Sequence, residues 1–223
     1  FVPALGDRKK AEALSDGWKK HLTPVRSGEV PVVCALARRS LGGSNELATL
    51  ATYRVASRGT VIGQPEPSVG VIPGLGGTHT LLRSVPPESR GRIVEMLLTG
   101  DPIDAEEALA LGLVQEVVAP SDLIERAVAA ARGEIEPPPF EKGPFSVVIP
   151  ESLPERNGEG LELDRSYVAF LAETIEGVSQ RTFEDAQRYE SERSGIAFTH
   201  SAARIGVRAL LSGKRPEFEK SGA

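Results

Sequence analysis

The chain holds one cysteine, three histidines and no apolar run near the roughly 18 residues that a membrane-spanning helix needs. Each shortage closes a class of protein. A lone Cys34 cannot form a disulfide within the chain, and its setting in Pro31-Val32-Val33-Cys34-Ala35-Leu36 reads as a buried strand thiol. That suits a reducing compartment, so a cytoplasmic location is expected. His21, His79 and His200 lie far apart and no Cys-x-x-Cys occurs, so no metal site is expected. Lys and Arg number 26 against 31 Asp and Glu, a formal charge of −5, which argues against a nucleic-acid partner and leaves room only for a local basic pocket for an anionic ligand. No glycine turn ends in Gly-Lys-Ser or Gly-Lys-Thr, and none has dinucleotide spacing, so a nucleotide-binding module is excluded. The first residue is Phe1, which is no translation start, and no signal peptide can be read.

What remains is a chain of 223 residues, 40% hydrophobic and 26% charged, enough for one good core or a core with a small appendage. Helix formers run from Arg8 to Leu22 and stop at Thr23-Pro24. A strand is expected from Val30 to Leu36, then a glycine loop tightening into a helix over 44–51. Short β-type runs follow at Tyr53 to Ala56, Thr60 to Ile62 and Val69 to Ile72, and Thr78 is placed to cap a helix after the turn at 73–77. Helices are expected at Glu88 to Leu98, at Asp104 to Leu113 with its glycine stop, and at Leu123 to Ala131, with a strand at Val114 to Val118. This alternation predicts an α/β core. The Pro- and Gly-rich stretch 134–160 reads as a surface excursion, and beyond it the chain is helical over 161–175, 183–192 and 202–211.

Three motifs could carry chemistry. In Leu41-Gly42-Gly43-Ser44-Asn45-Glu46-Leu47, glycines before a helix let backbone N–H groups approach a ligand, and the helix start adds partial positive charge that can hold a developing oxyanion. The bland alternative is a tight loop with a carboxylate favourably placed in a first turn. In Ile62-Gly63-Gln64-Pro65-Glu66, Pro65 makes the turn rigid and fixes the Glu66 carboxylate, which could equally be a solvated loop residue. Ile72-Pro73-Gly74-Leu75-Gly76-Gly77-Thr78 is a third glycine turn feeding a helix.

Taken in order with Leu97-Leu98-Thr99-Gly100, the stretch 105–114 and Leu211-Ser212-Gly213-Lys214-Arg215-Pro216-Glu217-Phe218, these segments resemble the crotonase superfamily, the enoyl-CoA hydratase/isomerase family. The likeness is good over 30–119 and looser beyond. It implies an α/β fold with a ββα spiral core over 1–121, truncated at its start, and a helical C-terminal region over 122–223 that serves oligomerisation and covers the active site. It implies an acyl-CoA substrate, a homotrimer or dimer of trimers, no membrane association, and no cofactor beyond the coenzyme A carried as substrate thioester. The Gly43 N–H would hold the thioester oxygen. Glu46 would activate water and Glu66 would deliver the proton at Cα, with exchange of roles between them possible in a coupled pair. Gly42 and Gly74 would line the substrate site, and Lys214 would meet a CoA phosphate.

Departures from the pattern are informative. The family's Asn-Gly before the glycine turn is replaced by Arg38-Arg39, which could meet CoA phosphates or lie solvated. Its third glycine is Ser44, and Thr52 stands where an acidic partner for the next strand is usual. Phe1-Val2-Pro3-Ala4-Leu5-Gly6-Asp7 could be the remnant of the turn carrying the other oxyanion donor, at Leu5 or Gly6. Roughly the first quarter of a family member would then be absent, leaving strand edges unpaired and the isolated chain unstable. The expected activity is enoyl-CoA hydration in fatty acid metabolism. The alternatives are an isomerase, thioester hydrolase, decarboxylase or cofactor-independent dioxygenase acting on a larger or aromatic acyl-CoA, or a non-catalytic subunit of the same fold.

Overall fold

The computed structural model describes residues 2–27, 31–134 and 138–218. A short 3-10 turn at Val2–Ala4 leads into α1 (Arg8–Ser27). Two strands, β1 (Val33–Leu36) and β2 (Arg39–Leu41), precede α2 (Gly43–Leu50), followed by β3 (Tyr53–Ser57), β4 (Val61–Gly63) and a 3-10 turn at Glu66–Val69. The short α3 (Thr80–Arg83), α4 (Arg90–Thr99), β5 (Ile103–Asp104), α5 (Ala105–Ala110), β6 (Glu116–Val118) and α6 (Leu123–Ala129) complete the α/β part. Three long helices close the chain: α7 (Arg165–Ser179), α8 (Phe183–Ala197) and α9 (Ser201–Leu211).

The strands form two small sheets. One has the order β1-β3-β6, all parallel, and the other β2-β4-β5, with β4 and β5 antiparallel. The chain thus steps from one sheet to the other at Ala37-Arg38 and again at Arg58-Gly59-Thr60, the repeated offset of a spiral. The largest apolar core joins strands and helices, with two smaller clusters around Tyr53 and Phe198. Leu36 and Ile62 from the strands, Ile93, Met96 and Leu97 from α4, and Tyr167, Leu171 and Ile175 from α7 all belong to the largest.

Local chemistry explains most element ends. Asp104 caps α5 through a bond from the Glu107 N–H at 2.7 Å, and Gly100 ends α4 in the left-handed conformation at φ 77°. Four expectations are corrected. Helix α1 does not stop at Pro24 but continues through it to Ser27, because proline's fixed φ is itself helical and only one N–H bond is lost. Residues 69–72 form no strand: Val69 ends the 3-10 turn and Gly70 reverses the chain at φ 66°. Thr78 does not cap α3; His79 holds that position, and the Thr78 side chain is turned inward. Between β1 and β2, Arg38 turns the chain at φ 61° and Arg39 opens β2, both exposed. The strand expected from Val30 begins at Val33, Val30 itself lying outside the described residues. Fully buried Arg54 donates to the Leu113 and Ala51 carbonyls at 2.5 and 3.1 Å, so backbone oxygens stand where an acidic residue at 52 was expected. Cys34 is half-buried, and burial raises its thiol pKa against the opposing charge of Arg54. Among the described residues, no helix is long and apolar enough to cross a membrane.

Candidate active site

The glycine turn before α2 is shaped by two constraints. Gly42 sits at φ 57° and ψ −130°, a region closed to residues with a Cβ, and its N–H bonds the Gly63 carbonyl at 2.9 Å, tying the turn to β4. A Cβ at Gly42 would also lie 2.7 Å from Glu66 Oε1, so only glycine lets that carboxyl approach. Gly43 is the first residue of α2, and its N–H has no partner within the helix. It is therefore available to an anion at the positive end of the helix.

One turn further along, Glu46 is buried. Its Oε1 accepts from the Leu75 N–H at 2.7 Å and the Gly77 N–H at 2.9 Å. Oε2 faces the Gly43 side, 4.0 Å from where a Gly43 Cβ would stand. Burial drives the Glu46 pKa well above the usual carboxylate range, the charges of Glu66 and Glu190 add to this, and the two N–H bonds oppose it. Glu66, on the 3-10 turn held by Pro65, has its pKa pushed up to about 7 by burial, with its own N–H opposing and Glu190 adding. Its Oε2 is buried without a hydrogen-bond partner.

Glu46 and Glu66 both border a cavity of about 270 Å³, whose other walls include Leu5, Gly43, Gly74, Leu75, Ser194, Phe198 and Leu210. Apart from the two carboxyls and the Ser194 hydroxyl, the lining side chains are apolar. The cavity thus joins two proton-holding groups and one backbone donor inside an apolar pocket.

Of the residues singled out from sequence, Glu46, Glu66, Gly43, Gly74 and Leu5 border this cavity, and Gly42 backs the Glu66 carboxyl. Gly6 does not border it, since the Gly6 N–H is held by the Phe198 carbonyl at 2.9 Å. The Leu5 N–H in turn donates to Val2 at 3.2 Å, so neither of the two offers a free donor to the cavity. Lys214 is exposed and lines a neighbouring groove with Arg39 and Arg215, which shares Val69 and Leu210 with the cavity.

Sequence reasoning did not find Glu190. This carboxylate is buried on α8 and accepts from the Gly76 N–H at 2.7 Å, the Thr78 N–H at 3.0 Å and the Thr78 hydroxyl. Lys19 of α1 pairs with it at 2.8 Å. The signal available was a stripe of small and polar residues: Ala11, Ser15 and Lys19 on α1 and Gln187, Glu190, Ser191 and Ser194 on α8, all buried.

A profile for the enoyl-CoA hydratase/isomerase family matches residues 4–141, and the chain belongs to that family. It is 34% identical over 181 residues to a probable enoyl-CoA hydratase of Rhizobium meliloti, covering 81% of this chain and 62% of the relative. It is 30% identical over 194 residues to a crotonyl-CoA hydratase of Syntrophomonas wolfei, covering 87% of this chain and 64% of that one. The chain therefore spans somewhat over three fifths of the length of these relatives. Among solved structures, an enoyl-CoA hydratase from Rhodobacter sphaeroides superimposes with a TM-score of 0.71 over 96% of this chain and 71% of its own, at 18% identity. That likeness is one of fold, and it gives the two small sheets and their helices as the crotonase spiral.

Proposed function

We propose that the protein hydrates enoyl-CoA thioesters to 3-hydroxyacyl-CoA. The observation that carries this reading is the pair of buried carboxyls, Glu46 and Glu66, meeting at one apolar cavity beside the Gly43 N–H. In this reading the thioester oxygen accepts the Gly43 N–H. The Glu46 oxygen facing the cavity takes a proton from water as the water oxygen bonds to Cβ, and the double-bond electrons move toward the thioester oxygen as an enolate. Glu66 then gives its proton to Cα, and the carbonyl re-forms. The Glu66 pKa of about 7 serves the second step, since a carboxyl near neutrality can hold and release a proton at working pH. The backbone donor acts where charge develops, and the apolar lining of the pocket strengthens the interaction.

The proposal extends to assembly and setting. Leu210 and Leu211 on α9 and Ile124 on α6 are more than 60% exposed, apolar surface that supports packing of subunits as a homotrimer or dimer of trimers. Lys214, beside Arg39, is suited by charge to a CoA phosphate. Neither a metal nor a cofactor beyond the CoA of the substrate enters the proposed steps, and a cytoplasmic role in fatty acid metabolism accords with the thiol left free at Cys34.

The test is incubation with crotonyl-CoA in D₂O, following loss of enoyl absorbance and deuterium at Cα. A 3-hydroxyacyl product with one deuterium is expected, and Glu46→Gln and Glu66→Gln should each lower turnover at least about a hundredfold while acyl-CoA binding persists. Unchanged rates in both variants would overturn the roles. Binding without turnover by the unaltered chain would favour another reaction of the family or a non-catalytic subunit.

A further inference from the structure

The turn at 74–78 presents its N–H groups alternately to two sides. Leu75 and Gly77 donate to Glu46, while Gly76 and Thr78 donate to Glu190. The peptide units that hold the cavity carboxyl from above are thus held from below by another carboxyl. Behind Glu190, the Lys19 ammonium lies 2.8 Å from Oε1, and it also donates to the Gln187 carbonyl at 3.0 Å and the Ser191 hydroxyl at 3.1 Å. An ammonium has three protons, and all three therefore have partners in a place closed to water. Ser15, one turn before Lys19, bonds the Gly74 carbonyl at 2.5 Å, so the same face of α1 fixes the start of the turn.

We infer that Glu190, charge-balanced by Lys19, is a positioning residue for the proposed hydration: it fixes the peptide units that aim Glu46, and its charge faces the Glu46–Glu66 pair. The inference rests on the proposed function for its kinetic consequence only. The ionisable groups around the pair are Glu190 from α8, Lys19 behind it from α1 and the Tyr167 phenol from α7. Tyr167 donates to the Val71 carbonyl, and burial, followed by the Glu66 charge, raises its pKa. His79 accepts from Arg83 at 3.1 Å, and burial first, then the charges of Arg83 and Lys19, hold its pKa well below the usual histidine range. Among these, Glu190 is the carboxylate that faces both Glu46 and Glu66. In Glu190→Gln, an amide nitrogen would meet the N–H of Gly76 or Thr78, donor against donor, and the field on the pair would weaken.

The experiment uses the intact chain with ¹³C-labelled glutamate carboxyls. The Glu66 titration midpoint is read by NMR, and kcat and KM for crotonyl-CoA are measured in parallel. In Glu190→Gln the midpoint should move down by at least about half a unit, and kcat should fall at least about tenfold with KM within about twofold, as expected when a reacting group is misplaced. Because a lone buried ammonium can prevent folding, Lys19→Met/Glu190→Gln is tested alongside, as it leaves no unpaired charge. In this folded double variant, where the opposing Lys19 charge is gone as well, a smaller midpoint shift in the same direction with the same fall in kcat supports the inference. A folded variant with the original midpoint and kcat overturns it, even if less stable, because the pair would then be only structural. If the unaltered chain does not hydrate crotonyl-CoA, the functional reading fails instead, and the NMR midpoint alone decides whether Glu190 acts on the pair.

Discussion

Replacing Glu66 by glutamine should make the protein more stable as pH rises, relative to the unaltered chain. The ordinary glutamate pKa is 4.5, and burial pushes that of Glu66 to about 7 in the folded state. The folded protein therefore binds this proton more tightly than the unfolded chain does. With that sign, the stability of the unaltered chain falls as pH climbs from about 4.5 to about 7, and levels off above. At about 1.36 kcal/mol per unit, the gap amounts to about 3.4 kcal/mol, an upper figure because water and neighbouring groups adjust to the charge. Glutamine has the same shape and never ionises, so the difference between the two proteins isolates the cost. It also lifts the Glu66 charge from Glu46, which adds in the same direction. Urea unfolding at pH 5, 6, 7 and 8 would measure it. The variant's advantage should grow by about 2–3 kcal/mol across the series, a shift of about 1 M in midpoint for a urea slope of about 2–3 kcal/mol/M. A difference that stays flat, or that turns against glutamine at high pH, would mean that Glu66 is comfortably ionised in the fold, and the reasoning would fail.

Other perturbations separate shape from chemistry. Arg38 holds φ 61°, where a side chain costs about 1–2 kcal/mol, so Arg38→Gly should raise stability by about 1 kcal/mol in thermal melts. Gly43→Ala should leave the melting temperature nearly unchanged, since its Cβ would make only ordinary contacts at 3.6 and 4.0 Å, yet should lower kcat with crotonyl-CoA by crowding the donor. Gly42→Ala should lose stability as well, by about 2 kcal/mol or more, from positive φ and the 2.7 Å approach to Glu66. Equal melting temperatures for the Gly42 and Gly43 variants would contradict this contrast.

The three motifs of the site were legible because each is written within a few residues: a glycine turn and its carboxylate, a proline turn and its carboxylate, and a glycine loop. Local signals also placed β3, α4, α5 and the C-terminal helices. The strands β2 and β5 escaped notice because two or three residues carry no period, and their existence depends on pairing with β4. Lys19 and Glu190 escaped for a different reason. They lie far apart in the chain, and on single helices a lysine or glutamate reads as solvated. Only the facing of two polar stripes shows them to be interior, and the close approach that Gly195 allows, 2.8 Å from its Cβ position to the Arg8 carbonyl, was the local clue. Val69 to Ile72 misled because an apolar alternation can equally line a cavity, and Val69, Val71 and Ile72 do so here.

The seating of α9 on the 66–70 turn bears on the order in which the site is assembled. A Cβ on Gly206 would stand 2.2 Å from the Val69 carbonyl oxygen, and one on Gly70 would stand 2.6 Å from the Ala202 carbonyl carbon. Two glycines thus let the last helix lie directly on the backbone of the segment that bears Glu66. Glu46 is carried by α2 and held by the 74–78 turn, which is itself held by Glu190 of α8. Both carboxyls therefore reach their final setting only once the C-terminal helices have docked, Glu46 through α8 and Glu66 through α9. A chain cut before residue 202 should fail to protect the 66–70 amides from hydrogen exchange, so the backbone that bears Glu66 owes its order to a helix more than a hundred positions away in sequence.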